Sequence, residues 1–481
     1  MDLNQISNAP GGRAITGQMG MQDVEALNKA LSADYGTNSS SLTGGGALRI
    51  QSLDKTLMSV IQENKHFVLF NMLPKQSAGA TVDEWTEQSG VGGFMGGSTN
   101  TELGIIQEAT GDYARRVGFV KYLMTKRQVS LVQTLQGAII EAETVEQQNG
   151  AKQLLTDAEY LCFEGDEAVV PSEFSGIRAQ INSLGSADHI IDAGGLPLTS
   201  INAIAQAAAT IAGYGNFGTP TDLIMAPACG ADLDVNLDPA YRAMLDAGKE
   251  AKLGTPVRGI VTAQGDIAVR RDVFVRDQAQ KTPFELRYSA IAAANVFSCA
   301  SVPTATPTGD VTSAFAAAHA GNYYYAVAGV NANGQSAVSK SAQIAVSAGD
   351  KVPLVITASA AGTETGYVIY RSRKGGTNAT ADFRECARIA KAGATTTWTD
   401  YNREIPGTTS AYMLNMTAGD SAITWRQLLP MMKFPLATTN QAVIPWAQLL
   451  FGYLRITKRQ HHIVIKNILT NQAKAVWNPF G

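Results

Sequence analysis

Thr81-Val-Asp-Glu-Trp-Thr-Glu87 and Asp112-Tyr-Ala-Arg-Arg-Val-Gly-Phe-Val-Lys-Tyr-Leu-Met-Thr125 read as two strands, and the stretch between them carries Gly90, Gly92, Gly93, Gly96 and Gly97. Glycines at that density make a tip too flexible to fold on itself. Lys75–Lys126 is therefore expected to form a long hairpin with a glycine tip. A two-stranded ribbon alone is marginal in water and cannot bury both faces in its own domain. It has to lie on something else, and a copy of the same chain is the simplest partner. That points to an assembly subunit rather than an enzyme.

Downstream of the hairpin, Val129, Leu131, Val132, Leu135, Ala138, Ile139, Ala142 and Val145 recur at three- and four-residue intervals. The spacing predicts a helix over Arg127–Phe163, with a kink at Asn149-Gly150 and a length of roughly 50 Å at 1.5 Å per residue. Upstream, residues 1 to 47 are rich in Gly, Ser, Asn and Ala and read as an extended arm with at most a short helix near Gln22–Leu31. Ala47–Met72 turns helical until Pro74 stops it. From Leu198 to Ser298 the texture is α/β: a helix capped by Thr199 or Ser200 and running to Ala212, a buried strand at Asp222–Ala226, a short helix at Pro239–Leu245, and strands Ile260–Ala263 and Ile267–Arg271 about the turn Gln264-Gly265-Asp266. Between Val302 and Ser410 helical periodicity gives way to short alternating segments. These are Asn322–Asn331, Ser341–Val346, Lys351–Ala358, Tyr367–Arg371, Phe383–Ala390 and Thr395–Thr399. Such spacing marks a β-sandwich inserted into a domain that resumes afterwards.

The 481 residues are enough for two or three domains. With 45% hydrophobic and 16% charged residues, the surface is poor in charge, as suits subunit contacts. A net charge of −3 gives no overall reason to wrap nucleic acid or coat an acidic membrane. No run reaches the roughly 18 apolar residues of a membrane span. The start Met1-Asp-Leu-Asn-Gln lacks the features of a signal peptide, so synthesis and retention in a cytoplasm are expected. Cys162, Cys229, Cys299 and Cys386 are far apart, without metal-site or disulfide spacing, and read as inert thiols.

Chemistry-bearing motifs are missing. The sequence holds no phosphate loop, no nucleophile elbow and no zinc helix. Asp232-Leu-Asp234-Val-Asn236 matches the start of a calcium loop, but Leu237 replaces the required Gly and Ala243 the bidentate Glu. A helix start with solvated acids is the plainer reading, so no metal, cofactor or catalytic residue is expected. Ser421–Gly481 has no Asp or Glu yet carries Arg426, Lys433, Arg455, Lys458, Arg459, Lys466 and Lys474. Either these face a polyanion such as packed DNA, or they pair with acids elsewhere, such as Glu141, Glu143 and Glu146. Pairing is the favoured reading. Phe94 and Met95, apolar residues at the glycine tip, gain nothing in water: either they dock on a neighbour, the sharper reading, or the tip is a disordered loop. With Trp85, Arg115 and Arg116 they are the candidate subunit-interface residues.

The order of arm, glycine-tipped hairpin, long helix and α/β domain resembles the major capsid proteins of tailed bacteriophages, with the Hong Kong 97-like fold. The likeness rests on Lys75–Lys126, Arg127–Phe163, Pro220-Thr-Asp-Leu-Ile-Met-Ala-Pro227 and the returning strands of Arg455–Ile468. It implies an α+β fold with an N-terminal arm over 1–74, an extended loop over 75–126, a peripheral domain with a spine helix over 127–197, and an axial domain over 198–301. The chain would return through axial and peripheral strands over 411–481. Residues 302–410 separately resemble an immunoglobulin-like, fibronectin type III-like module, on Tyr323–Ser336, Gly366–Ser372 and Thr397-Trp-Thr-Asp400.

The resemblance implies pentamers and hexamers of this chain building an icosahedral shell around double-stranded DNA held by non-specific contact. Scaffolding and portal proteins are implied partners, decoration proteins are further candidates, and no membrane is involved. The protein would be made in the host cytoplasm and reside in the virion. Some members of the family cross-link a hairpin lysine to an asparagine; no lysine lies between Gln88 and Gly111, so no ladder of linked subunits is expected from boiled shells. The inserted module is expected to project outward, and deleting Val302–Ser410 behind a short glycine linker to leave shells able to form. Two alternatives share part of the pattern: an encapsulin-type compartment around an enzyme cargo, and a fibronectin-like surface adhesin.

Overall fold

The computed structural model describes residues 63–135, 142–199, 201–236, 257–277, 307–359, 363–417, 419–438 and 441–481. The expected arm and short helix over residues 1–62, the helix Pro239–Leu245 and Cys299 lie outside the described residues. All described residues fall in one compact unit, Ile61–Gln136 with Ala142–Gly481.

Two sheets share one long helix. The first has the strand order Lys75–Ser77, Ile423–Pro435, Val443–Ile456, Lys121–Ser130. The helix Ala142–Glu164 buries Gly150, Leu154, Ala158 and Cys162, a four-residue repeat that makes one stripe. Of the helix expected over Arg127–Phe163, Leu131–Leu135 and Ala142–Phe163 are helical, residues 136–141 lie outside the described residues, and Arg127–Ser130 is not helical. Lys121–Ser130 is instead a strand paired with Val443–Gly452, so the return limb of the hairpin ends at Phe119 and a new sheet strand follows. Nor does Asn149-Gly150 end or divide the helix, which runs through both residues. A Cβ on Gly150 would sit 2.1 Å from Gln448 Oε1, so the glycine serves close helix–sheet approach.

The second sheet is six-stranded: Ile190–Asp192, Ile463–Ile468, Thr409–Leu414, Asp222–Met225, Gly265–Arg271, Gly259–Thr262. Its three central strands, Ile463–Ile468, Thr409–Leu414 and Asp222–Met225, are buried on both sides. Leu223, Met225, Ala411, Met413, Ile463 and Ile465 pack under the helices Ile201–Ala212 and Pro227–Asn236. Ile224, Tyr412, Leu414 and Val464 point the other way, into the core shared with the long helix. That core centres on Trp425, met edge-on by Phe70 at 5.0 Å and Phe174 at 5.3 Å.

The calcium-like acids Asp232 and Asp234 lie inside the helix Pro227–Asn236 rather than at a helix start. Asp232 Oδ2 accepts from the Asn471 amide at 2.8 Å, and Asp234 accepts from Val257 and pairs with Arg271. No group of metal-ligating side chains occurs among the described residues, and no described helix is long and apolar enough to cross a membrane. Cys162, Cys229 and Cys386 are buried thiols.

Residues 308–400 form facing sheets around Phe315, Tyr323, Tyr325, Val327, Leu354, Ile356, Tyr367 and Ile369. The sandwich does not hang from its two linkers. Ala326, Ala328, Val330, Val368, Tyr370 and Phe383, on the opposite face of one sheet, pack on Val169 and Val170 of the same chain. The next strand, Thr409–Leu414, already belongs to the six-stranded sheet, so a deletion through Ser410 would cut into it.

Candidate subunit interface

The hairpin pairs Val82–Gly90 with Asp112–Phe119 and joins no other sheet of the described residues. Because strand side chains alternate, Asp83, Trp85 and Glu87 turn toward the body while Val82, Glu84 and Thr86 turn away. The inward row is pinned. Asp83 accepts from Tyr453 Oη at 2.6 Å, Arg426 Nε at 2.9 Å and Arg455 Nη1 at 3.3 Å. Burial pushes its carboxyl up, but Arg426, Tyr453 and Arg455 more than offset this and hold it below the usual range. Glu87 pairs with Arg116 at 2.9 Å and Arg459 at 3.2 Å. Arg455 lies over the Trp85 ring at 5.8 Å. Gly118 has no room for a side chain, since a Cβ would stand 2.3 Å from the Tyr453 ring.

Of the candidate interface residues, then, Trp85 packs half-buried on its own core and Arg116 closes an intrachain pair. Arg115 pairs with Glu84 on the outward row. Phe94 and Met95 are different: each is 75% exposed at the tip. Sequence reasoning missed their companions Leu103, Ile105 and Ile106, all at least 90% exposed. The signal was present in Leu103-Gly-Ile-Ile106, an apolar cluster inside an otherwise polar loop. Gly92, Gly93 and Gly96 hold positive φ there, and a Cβ on Gly92 would meet Thr110 O at 2.3 Å.

A second apolar surface lies on the four-stranded sheet. Its inner face carries Gln448 and Leu450 toward the long helix, while the outer face shows Tyr122, Met124, Met432 and Phe434 to solvent. Phe451 meets Tyr122 edge-on at 4.9 Å on this face. The basic C-terminal stretch is spoken for: Arg426, Lys433, Arg455, Lys458, Arg459 and Lys466 pair with Asp83, Glu143, Asp420, Glu87 and Glu404. The pairing reading holds for these six; of the acids expected, Glu143 supplies a partner, Glu146 takes Arg127, and Glu141 lies outside the described residues.

No protein-family profile matches the chain. Among curated proteins it is 25% identical over 461 residues to the putative major capsid protein of Enterococcus phage phiEF24C, covering 92% of this chain and 95% of that one. It is likewise 25% identical over 469 residues to the major capsid protein of Staphylococcus phage K, covering 93% and 96%. Along nearly its whole length the chain is similar to phage major capsid proteins. Hairpin, long helix and six-stranded sheet follow one another in the order that the Hong Kong 97-like resemblance implies. Among solved structures, the capsid of a native GTA particle aligns at a TM-score of 0.47 with 10% identity, covering 90% of this chain and 99% of that one.

Proposed function

We infer that this protein is the structural subunit of an icosahedral phage head. The observation that carries the reading is the full-length relation to major capsid proteins. The hairpin, pinned to its own body along the inner row Asp83, Trp85 and Glu87 and apolar at its tip, gives that relation a physical meaning. Burying Phe94, Met95, Leu103, Ile105 and Ile106 removes apolar surface from water at about 25 cal/mol per Å². A repeated head-to-tail contact of this kind closes into rings, here pentamers and hexamers.

The surface that fits the tip is the bare sheet face of a neighbour, around Tyr122, Met124, Met432 and Phe434. Charge supports the match: the tip carries Glu102 and Glu108 with no lysine or arginine, and Lys126 stands exposed beside Met124. Trp85, Arg115 and Arg116 then serve as supports that aim the hairpin. Scaffolding and portal proteins would act in the host cytoplasm before double-stranded DNA fills the head, with decoration proteins added outside. The pairing of six C-terminal basic residues within the chain leaves them little for DNA, which suits contact without sequence preference. The role is structural and non-catalytic.

Electron microscopy and sedimentation of the purified chain test this reading. Shells are expected from the wild type. Phe94→Ser with Ile105→Ser should leave the fold intact, since surface changes lie within roughly 0.5 kcal/mol, and should leave subunits unassembled. Wild-type protein that remains a folded monomer at high concentration would refute the reading.

A further inference from the structure

The segment Trp477–Gly481 follows the last helix, Asn471–Val476, and runs onto the inserted sandwich. Trp477 is buried; its indole Nε1 donates to Asp382 O at 3.2 Å and its ring lies under the Arg384 guanidinium at 5.1 Å. The Lys374 amide donates to Pro479 O at 3.0 Å. Phe480 stacks on the His319 imidazole, centroids 4.4 Å apart and planes 10° from parallel. The same segment touches the other side of the seam: a Cβ on Gly407 would stand 2.4 Å from the Trp477 ring, and one on Gly195 2.7 Å from the Phe480 ring. It therefore bridges sandwich and body.

His319 is held in one protonation state by its partners. Asn402 Oδ1 accepts from Arg371 Nη2 at 2.7 Å, so its Nδ2 carries the hydrogens and donates to Ala314 O at 3.2 Å and to His319 Nδ1 at 2.9 Å. Nδ1 must be an acceptor, which leaves the ring neutral. We propose that Trp477–Gly481 is a strap fastening the sandwich to the rest of the subunit, with neutral His319 as its catch, so that acid releases it. A proton on Nδ1 would oppose N–H to N–H and place a cation near two others. Those are Arg371, seated between the Phe315 and Tyr323 rings, and Lys374, whose Nζ donates to Ala318 O. The neighbouring carboxylate, Asp400, is already engaged by Arg371 at 2.6 Å and by Tyr325 Oη at 2.8 Å. The strap brings no charged side chain of its own. Burial foremost, with Arg371 and Lys374, lowers the His319 pKa, and the Ala314 carbonyl, which favours the charged ring, only partly offsets this.

Amide hydrogen exchange of the full chain tests the strap. The Lys374 amide reports the strap itself, and the Val169 and Val170 amides, which donate to Asp166 O beneath the sandwich, report the seam. Phe480→Ala should speed exchange at all three by roughly fivefold to tenfold and leave Ile224 and Met413 of the six-stranded sheet unchanged. Moving wild type from about pH 7.5 to about pH 5, after correction for intrinsic exchange, should do the same. His319→Asn keeps an acceptor for Asn402 but cannot be charged, so it should abolish the pH step. Faster exchange at Lys374 with the seam unmoved would make the tail a passive passenger. A pH step surviving in His319→Asn would remove the catch.

Discussion

Glu159 and Asp272 are two fully buried carboxyls with no cation in ion-pair range among the described residues. Glu159 accepts from the Leu69 and Phe70 amides, both at 2.7 Å, tying the long helix to the short helix Leu69–Met72. Asp272 accepts from Phe274 N at 2.8 Å through Oδ1 and leaves Oδ2 without a heavy-atom donor. Burial and the facing Asp272 push Glu159 up to about 9, only partly offset by the Phe70 and Leu69 amides, and burial raises Asp272 as well. One proton is thus held by the folded pair that the unfolded chain would release near its ordinary carboxyl value of 4.5. Because the folded state binds more protons, stability falls as pH rises from about 4.5 to about 9 and levels off above that. Asp272→Asn keeps the acceptor for Phe274 and lets its amide donate to an ionised Glu159. Thermal unfolding at mildly alkaline pH should therefore show a gain of about 1–2 kcal/mol and a flattened pH slope. An unchanged slope would mean that the pair holds no shared proton. Nothing in the sequence brings positions 159 and 272 together, so this pair was not legible before the fold was known.

The hairpin was read from alternation and its glycine tip, and its two strands follow that reading because both signals are local. The helix start was misplaced for a local reason too. Leu131 and Val132 are helical as their spacing predicts, within Leu131–Leu135, but Val129 fits the same stripe while Lys121–Ser130 alternates exposed and half-buried residues as strands do, and sheet pairing with Val443–Gly452 decides the matter. The long strands Ile423–Pro435 and Val443–Ile456 were hidden by Pro430 and Pro445. Proline breaks ladders, but Pro430 sits at a register irregularity, where the missing N–H costs little. Anchorage of the hairpin depends on Asp83, which no spacing rule could link to Arg426 and Arg455. Asp83→Ala would leave those two guanidinium groups without their carboxylate, sharing only Gln76 Oε1, and cost about 2–4 kcal/mol locally. Amides of Val82–Gly90 and Asp112–Phe119 should then exchange faster while Leu223 and Met413 hold. Uniform loosening of both sheets would instead make Asp83 part of the global core.

The inserted sandwich shows how burial on both faces changes what a module is for. Its strand Tyr325-Ala-Val-Ala-Gly-Val-Asn331 is an unbroken apolar run, and buried residues fill all but its last position. A sheet with one wet face alternates; a continuous run signals cover on both sides. That signal was in the sequence and argued against a module free to project on its linkers. Around the seam, Thr365 Oγ1 donates to Val169 O at 2.8 Å, and a Cβ on Gly366 would stand 2.6 Å from Val169 Cγ1. Arg276 pairs with Glu385 of the sandwich at 3.2 Å and with Glu164 of the long helix at 3.4 Å, while Arg388 reaches the Tyr160 hydroxyl. Deletion of residues 307–402 behind a glycine linker would expose Val169 and Val170 and strand the buried Glu164 and Arg276 with fewer partners. Unpairing buried charge costs about 3–5 kcal/mol, a large share of ordinary domain stability. The shortened subunit should therefore melt earlier and give few or no shells, and adding Val169→Ser and Val170→Ser should restore solubility without restoring the melting temperature. Shells in wild-type yield from the deletion alone would show that the sandwich is dispensable and that its docking carries no load.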